Sequence, residues 1–510
     1  MTEDRGVTGL QHRRIAVDSR RVAAGDVFVC LRGAHVDGHD YALEAVRRGA
    51  AVVVSERPLP LPPGIENVVV SNAHAALSSL AAAHFGHPSR ALCCIGITGT
   101  NGKTTTTHFV QAVLEEAGVP CAVIGTLGAR FAGRSWTLEN TTPLALELQE
   151  LLAEVRSAGA RAVAMEVSSH ALALHRADDV EFDVAGFTNL TQDHLDFHIS
   201  MEAYAAAKRV LFEELLTRST RQPYRAKAPG HAVLNAEDST AQAWLASLGA
   251  GDWSATSSLT YGFGSANEKG VAPDVQALDV ELCADGTRFT LRYGKASVPV
   301  SLSLPGRFNV SNALCAAGSA VALGLDLETI ARGLARVRVV PGRMMRVTLS
   351  DTSSAGPLPT VIVDYAHTPD GLANVLDAVR QASQGRLIVV FGAGGDRDRG
   401  KRPLMGAAVA DRADTIYVTS DNPRTEDPIA IINDVMEGVA SSRASGARVD
   451  VFVEPDRGMA IHEAILSAEA RDVVVIAGKG HETYQVVGSE RRSFDDAAVA
   501  RAALEEWALR

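Results

Sequence analysis

Short apolar runs alternate with stretches of helical spacing along most of the chain, and they fall into three blocks. In the first, residues 1–90, DVFVCL, AVVVSE and NVVVS read as strands and YALEAVRRGA as a helix, with a turn marked by Pro58, Pro60, Pro62 and Pro63. The second, 91–340, runs through ALCCIGI, CAVIGTLG, RAVAMEVS, VAGFTNL and AVLN, each followed by helical spacing, as a doubly wound parallel sheet requires. Toward its end VQALDVELC, TRFTLRYG and VPVSLSL predict a β-meander, a lateral sheet, with turns at Asp285-Gly286 and Gly294-Lys295. The third block, 341–510, repeats the alternation from TVIVDYAHTPDGL to DVVVIAGKGHETYQ. The expected fold class is α/β in three domains: an N-terminal α/β unit, a central parallel-sheet unit with the lateral sheet, and a C-terminal Rossmann-like unit.

Composition narrows the function classes. Of the 510 residues 46% are hydrophobic and 21% charged, as in a soluble globular protein, and the net charge of −11 argues against a general nucleic-acid binder while leaving room for a local basic pocket. The six cysteines form no CxxC pair, and Cys93-Cys94 sit inside an apolar run, so buried free thiols in a reducing compartment are expected. MTEDRGVTGL has no apolar core of a signal peptide, and no run reaches the ~18 apolar residues of a membrane span, so the expectation is a cytoplasmic protein. The basic stretch LTRSTRQPYRAKAPGH (216–231) reads as a loop.

Candidate chemistry gathers where strands end. GITGTNGKTTTT (96–107) follows an apolar strand and opens a helix, so Gly99 and Gly102 lie in a turn whose N–H groups can face phosphates. Lys103 would reach the outer phosphates and Thr104 would offer its hydroxyl to Mg²⁺, although ordinary P-loop spacing puts glycine at 97, where Ile97 stands. Glu166 ends one strand, and Asp193, His194, Asp196 and His198 follow another, at the edge where open α/β sheets bind ligands. His194-x-x-x-His198 lacks the glutamate of a zinc helix and has no evident third ligand. Lys208, taken alone, reads as a surface lysine, and Asn309 and Asn312 either meet an adenine edge or cap their helix. GAGGDR does not have dinucleotide spacing. Arg397, Lys401, Arg402, Asp421, Asn422, Arg424, Lys479, His481 and Glu482 form a loop set of both signs, suited to a zwitterion or to surface ion pairs. In the first block Ser19, Arg20, Arg32, Gly33, Asp37 and His39 could grip a phosphorylated substrate or serve as caps and turns.

Taken together, VDSR, GTNGKTT, NTTP (140–143), MEVSSHAL, FTNLTQDHLDFH, the AAAK helix, GRFNVSNAL, PGRM, DYAHTPDGL, GAGGDRDRGKRPLMG, SDNPR and GKGHE, in this order, resemble the Mur ligases, ATP-dependent amino-acid-adding enzymes of bacterial peptidoglycan synthesis. The shifted P-loop is itself a family trait. The resemblance implies ATP as co-substrate, Mg²⁺, and addition of meso-diaminopimelate to UDP-N-acetylmuramoyl-L-alanyl-D-glutamate through an acyl phosphate, by an enzyme expected as a monomer without nucleic-acid partners. It implies catalytic roles for Lys103, Glu166, His194 and Lys208, with Thr104, Glu166, His194 and a carbamylated Lys208 (N6-carboxylysine) at the metal. It implies ATP contacts from Gly99, Thr100, Asn101, Gly102, Lys103, Thr104, Thr105, Asn309, Arg343 and Asp364. Ser19, Asn140, Thr141, Thr142, Ser168 and Arg176 match positions holding the UDP-muramoyl peptide, and Arg397, Asp421, Asn422, Pro423, Arg424, Gly478 and Glu482 the incoming diaminopimelate. The alternatives are a lysine-adding relative and a ligase like folylpolyglutamate synthetase.

Overall fold

Three main sheets organise the chain, with strands drawn from residues 15–69, 93–302 and 345–493 together with one small hairpin. The structure is a computed structural model describing residues 7–33, 36–216, 230–248, 257–264, 272–283, 286–349 and 357–510. Most of the basic stretch, 217–229, and Asp285 of the expected turn lie outside the described residues.

The first sheet has four parallel strands in chain order, Ile15–Ala16, Val27–Val29, Val52–Ser55 and Glu66–Val69. Its period-two alternation is used on both faces: Val27, Val29, Val52 and Val54 pack with Leu77 and Leu80 of helix Ala73–His84, while Phe28 and Val53 pack with Ala42 and Ala45 of helix Ala42–Arg47. Helix Ala73–His84 in turn rests on helix Ala145–Ser157 of the central unit, where Ser79 Oγ donates to Asp179 at 3.1 Å.

The central sheet has eleven strands. Its parallel core runs, in spatial order, Ser257–Phe263, His231–Asn235, Val184–Phe187, Cys93–Thr98, Ala162–Glu166 and Cys121–Gly125. Strands Val275–Cys283, Gly286–Tyr293 and Ala296–Leu302 form the meander, which joins the same sheet because Tyr261 pairs with Val275 in parallel. At the other edge a hairpin of Gly128–Phe131 and Arg134–Trp136 adds two strands that the pattern did not announce. Strand Cys93–Thr98 sits in the middle, buried on both faces, as its unbroken apolar run requires. Gly96 belongs to this strand: a Cβ there would stand 2.7 Å from the Phe182 ring, so the residue serves packing, not the phosphate turn.

In the third sheet Met345–Val347 is antiparallel to Thr360–Asp364, followed in space by the parallel strands Val473–Ala477, Leu387–Phe391, Thr415–Val418 and Asp450–Val453. Beneath its binding edge Arg457 and Asp496 form an ion pair with both side chains fully buried, at 2.7–2.8 Å. Asp496→Ala strands that guanidinium in the interior, and a loss of about 3–5 kcal/mol is expected. Urea denaturation followed by a probe in the C-terminal unit checks it.

Among the described residues no helix is long and apolar enough to cross a membrane.

Candidate active site at the phosphate turn

The chain leaves strand Cys93–Thr98 at Gly99 and re-enters helical geometry at Lys103, the start of helix Lys103–Glu116. Gly99 and Gly102 both have positive φ, +145° and +88°, and a Cβ at either would collide with Thr188 or Asn312. Glycine is therefore required twice in a turn that presents backbone N–H groups at a helix N-terminus. Lys103 lies folded along it, its Nζ donating to the carbonyls of Gly99 and Thr100 at 2.9 and 2.8 Å. Burial lowers its pKa, opposed by Glu166 and Asp193.

A cleft of about 520 Å³ opens over this turn, lined by Thr100–Thr105, Thr126, Thr141, Glu166, Ser168, Asp193, His194, Asn312, Arg343, Asp364 and His367. Glu166, 1% exposed, is aimed by Thr126, whose N–H and hydroxyl donate to its two oxygens at 2.9 and 3.1 Å. Gly125 makes room for that carboxylate, since a Cβ there would strike it. His194 has a left-handed backbone (φ 57°), and its Nε2 lies 3.3 Å from Asp193 Oδ2. Burial pushes this imidazole down to about 2 despite Asp193, so it is neutral, the form in which a histidine binds a metal. His198 turns elsewhere, bonding Ser169 Oγ at 2.9 Å.

Lys208 is 1% exposed, which overturns its reading as a surface lysine. Helix Met201–Val210 buries only Tyr204 and Lys208, so Nζ sits 4.3 Å from the centre of the Tyr204 ring and donates to the Gly99 carbonyl at 2.9 Å. Among the described residues no carboxylate lies within ion-pairing distance of it. Burial, reinforced by Lys103 and opposed by Asp193, pushes its pKa well below the usual lysine value.

The C-terminal unit reaches this cleft directly. Arg343 Nη2 donates to Thr104 Oγ1 at 3.1 Å, and Asn101 Nδ2 donates to Asp370 at 3.1 Å. Asp364 is buried and accepts from the N–H groups of Met344 and Ala366, both at 2.7 Å, so it fixes the residue that follows Arg343. Burial raises its pKa. Asn309 is buried, holding Pro305 O at 2.7 Å, and its partner Asn312 lines the cleft. Neither caps the helix, whose N-cap is Gly306.

Thr141, Thr142, Ser168 and Arg176 gather beside Glu166. Thr142 Oγ1 donates to Glu166 O at 2.9 Å, the Ser168 N–H donates to Thr142 Oγ1 at 3.0 Å, and Arg176 donates to Thr142 O at 3.1 Å. Asn140 precedes them, half-buried in the same loop. Ser19 stands apart, buried at the start of a short turn in the N-terminal unit, and does not join the cleft lining.

A second cluster occupies the binding edge of the C-terminal sheet. Arg397 and Arg424 flank Gly394, and Arg424 Nη1 donates to Gly395 O at 2.6 Å. Burial lowers the Arg424 pKa, with Arg397 adding to the effect. Opposite in charge, Asp421 packs against Gly478 (φ +119°), while Asn422, followed by Pro423, donates to Glu482 at 2.9 Å and accepts from Lys479 at 3.0 Å. Burial, then Asp421, raises the Glu482 pKa. Three residues of the expected set pair elsewhere: Lys401 with Asp193 across the unit boundary, Arg402, 1% exposed, with Glu426 and Asp434, and His481 with the Tyr365 ring, centroids 5.2 Å apart. Lys401 and Arg402 stand in helix Lys401–Ala410, from which Arg402 Nη2 also donates to Gly394 O at 3.3 Å. Thr126, His367 and the Asp193–Lys401 pair carried no signal in the sequence, because each acts through a partner far along the chain.

Family profiles match three segments: "Mur ligase family, catalytic domain" over residues 12–85, "Mur ligase middle domain" over 97–320, and "Mur ligase, glutamate ligase domain" over 342–480. The UDP-N-acetylmuramoyl-L-alanyl-D-glutamate--2,6-diaminopimelate ligase of Geobacillus kaustophilus is 46% identical over 492 residues, covering 96% of this chain and 94% of that protein. A solved structure of a ligase of the same name superposes with a TM-score of 0.63 at 33% identity, covering 97% of this chain and 94% of that one. Mycobacterium tuberculosis folylpolyglutamate synthase complexed with ADP and AMPPCP superposes equally well, TM-score 0.63, at 19% identity over 84% of this chain and 94% of that one.

Proposed function

The chain belongs to the Mur ligase family, and on that premise we propose that it joins 2,6-diaminopimelate, in its meso form, to UDP-N-acetylmuramoyl-L-alanyl-D-glutamate, converting ATP to ADP and phosphate. The observation that carries this reading is the docking of a two-sign pocket, Arg397 and Arg424 with Asp421 and Glu482, onto a unit whose phosphate turn faces Glu166. The fold alone does not choose between this reaction and folate polyglutamylation, since both solved relatives superpose alike. Identity over 96% of the chain favours the first, and so does Arg424: lysine lacks the second carboxylate that a guanidinium binds through two parallel hydrogen bonds.

The turn Gly99–Thr105, with Arg343 and Asn312, would hold the triphosphate and nucleoside, while Thr141, Thr142, Ser168 and Arg176 would hold the muramoyl peptide beside Glu166. Ser19 would reach that substrate's nucleotide end from the N-terminal unit. Mg²⁺ fits the donor set. Among the described residues no cluster of three acidic, histidine or cysteine side chains makes a cage, but Thr104, Glu166 and His194 face one cleft, as suits a cation held by few protein ligands, water and substrate phosphates. Its contribution would be charge neutralisation on the phosphate oxygens. Lys208, buried beside the turn with no carboxylate partner among the described residues, would take up CO₂ as a carbamate and so present a further anionic oxygen donor. With Lys103 offsetting the repulsion, the terminal carboxylate oxygen attacks the γ-phosphorus and ADP leaves. The diaminopimelate amine then attacks the acyl carbon and phosphate departs. The reaction would run in the cytoplasm, on a monomer.

Oxygen labelling tests the chemistry. With the acceptor carboxylate enriched in ¹⁸O, the released phosphate should carry one labelled oxygen; unlabelled phosphate would remove the acyl phosphate from the account.

A further inference from the structure

The loop that carries Arg397 runs on to residues that grip the phosphate site. Asp398 accepts from Gln192 Nε2 at 3.1 Å, and Lys401 Nζ donates to Asp193 Oδ1 at 3.0 Å. Both partners belong to the segment that ends in His194. Lys401 and Asp193 are each 5% exposed although they come from different units, 208 residues apart. Asp193 lines the cleft, whereas Lys401 stands behind it. The Asp193 carboxylate is also 3.3 Å from His194 Nε2 and 3.9 Å from His367 Nε2, so it is the meeting point of three segments. A buried ion pair of this kind adds little net stability compared with apolar packing, and its better-attested use is to select one arrangement of the parts it joins.

We propose that Lys401 is a positioning residue that couples the amino-acid pocket to the phosphate site. The inference rests on the ligase reading above. An amino acid held by Arg397 steadies the 394–401 loop, Lys401 and Asp398 transmit that restraint to Gln192 and Asp193, and His194 is held in register with Glu166 across the cleft. Linkage makes the effect reciprocal: diaminopimelate must tighten nucleotide binding by the factor by which nucleotide tightens diaminopimelate binding.

The test is calorimetric titration of the full chain with AMPPCP, UDP-N-acetylmuramoyl-L-alanyl-D-glutamate present throughout, with and without diaminopimelate. In the unsubstituted protein diaminopimelate should tighten AMPPCP binding about tenfold. Lys401→Met should reduce that factor below about twofold while AMPPCP alone binds within about threefold of its original affinity, and Lys401→Arg should restore part of the coupling. Asp398→Ala leaves no buried charge unpaired; it should lower the coupling partway, and it decides the matter if Lys401→Met does not fold. Absence of coupling in the unsubstituted protein overturns the proposal, as does its survival in Lys401→Met or, should that variant not fold, in Asp398→Ala. Failure of the ligase reading is separately visible, as no phosphate release from ATP with any amino acid.

Discussion

Lys208→Ala is expected to lower turnover by about a thousandfold or more while the chain stays folded. The lysine is buried against the Gly99 carbonyl, close enough to Lys103 for that ammonium group to oppose its protonation, and among the described residues it has no carboxylate partner. As a cation it would add repulsion to Mg²⁺; as a carbamate it would offer the metal a negative oxygen. Carbamate formation consumes a neutral amine and CO₂ and releases a proton, so acid and CO₂ depletion both drive it back. Two measurements separate this role from packing: acetate, fitting the space left by the side chain, should restore part of the activity of Lys208→Ala, and enzyme stripped of CO₂ at low pH should regain activity when bicarbonate is added. An Ala variant that turns over normally would remove Lys208 from the machinery.

Arg424→Ala should raise the KM for diaminopimelate by about a hundredfold to a thousandfold, the size expected for two charge-assisted hydrogen bonds to one carboxylate. The KM for ATP should stay within about threefold, because Arg424 belongs to the C-terminal cluster and lies outside the lining of the nucleotide cleft. The side chain is presented from a left-handed backbone position (φ 52°) held by the bond from its own N–H to Val486 O, 3.1 Å, which the substitution leaves in place. Arg424→Lys keeps the charge but loses the planar fork, and an intermediate KM is expected. Equal losses for both substrates would mean that the residue supports the unit's fold and not the pocket.

The parts of this molecule that were legible in sequence are those in which function follows from local pattern. Unbroken apolar runs marked the parallel strands, and Gly99, Gly102, Lys103 and Thr104 marked the turn, because strand, turn and helix are contiguous there. What was not legible depends on distance along the chain. Glu166 is aimed by Thr126, forty residues earlier, and no spacing rule joins them. Lys401 looked like one more loop cation, and its partner lies in another unit. Lys208 sits in a helix of mostly polar and small residues, so the i, i+4 pair with Tyr204 was too slight a stripe to reveal a buried face. Gly96, one place before the position where ordinary P-loop spacing puts glycine, is explained by the Phe182 ring, 2.7 Å from where a Cβ would stand. Glu166 was marked by its place at a strand end, whereas family resemblance alone pointed to Lys208.

The measurement that tests the central claim most directly is phosphate release from ATP with UDP-N-acetylmuramoyl-L-alanyl-D-glutamate, run in parallel with meso-diaminopimelate, L,L-diaminopimelate, L-lysine and no amino acid. Release that requires meso-diaminopimelate is the predicted result. Release with lysine in its place would keep the family and contradict the Arg424 pocket, and no release with any of them would contradict the ligase itself.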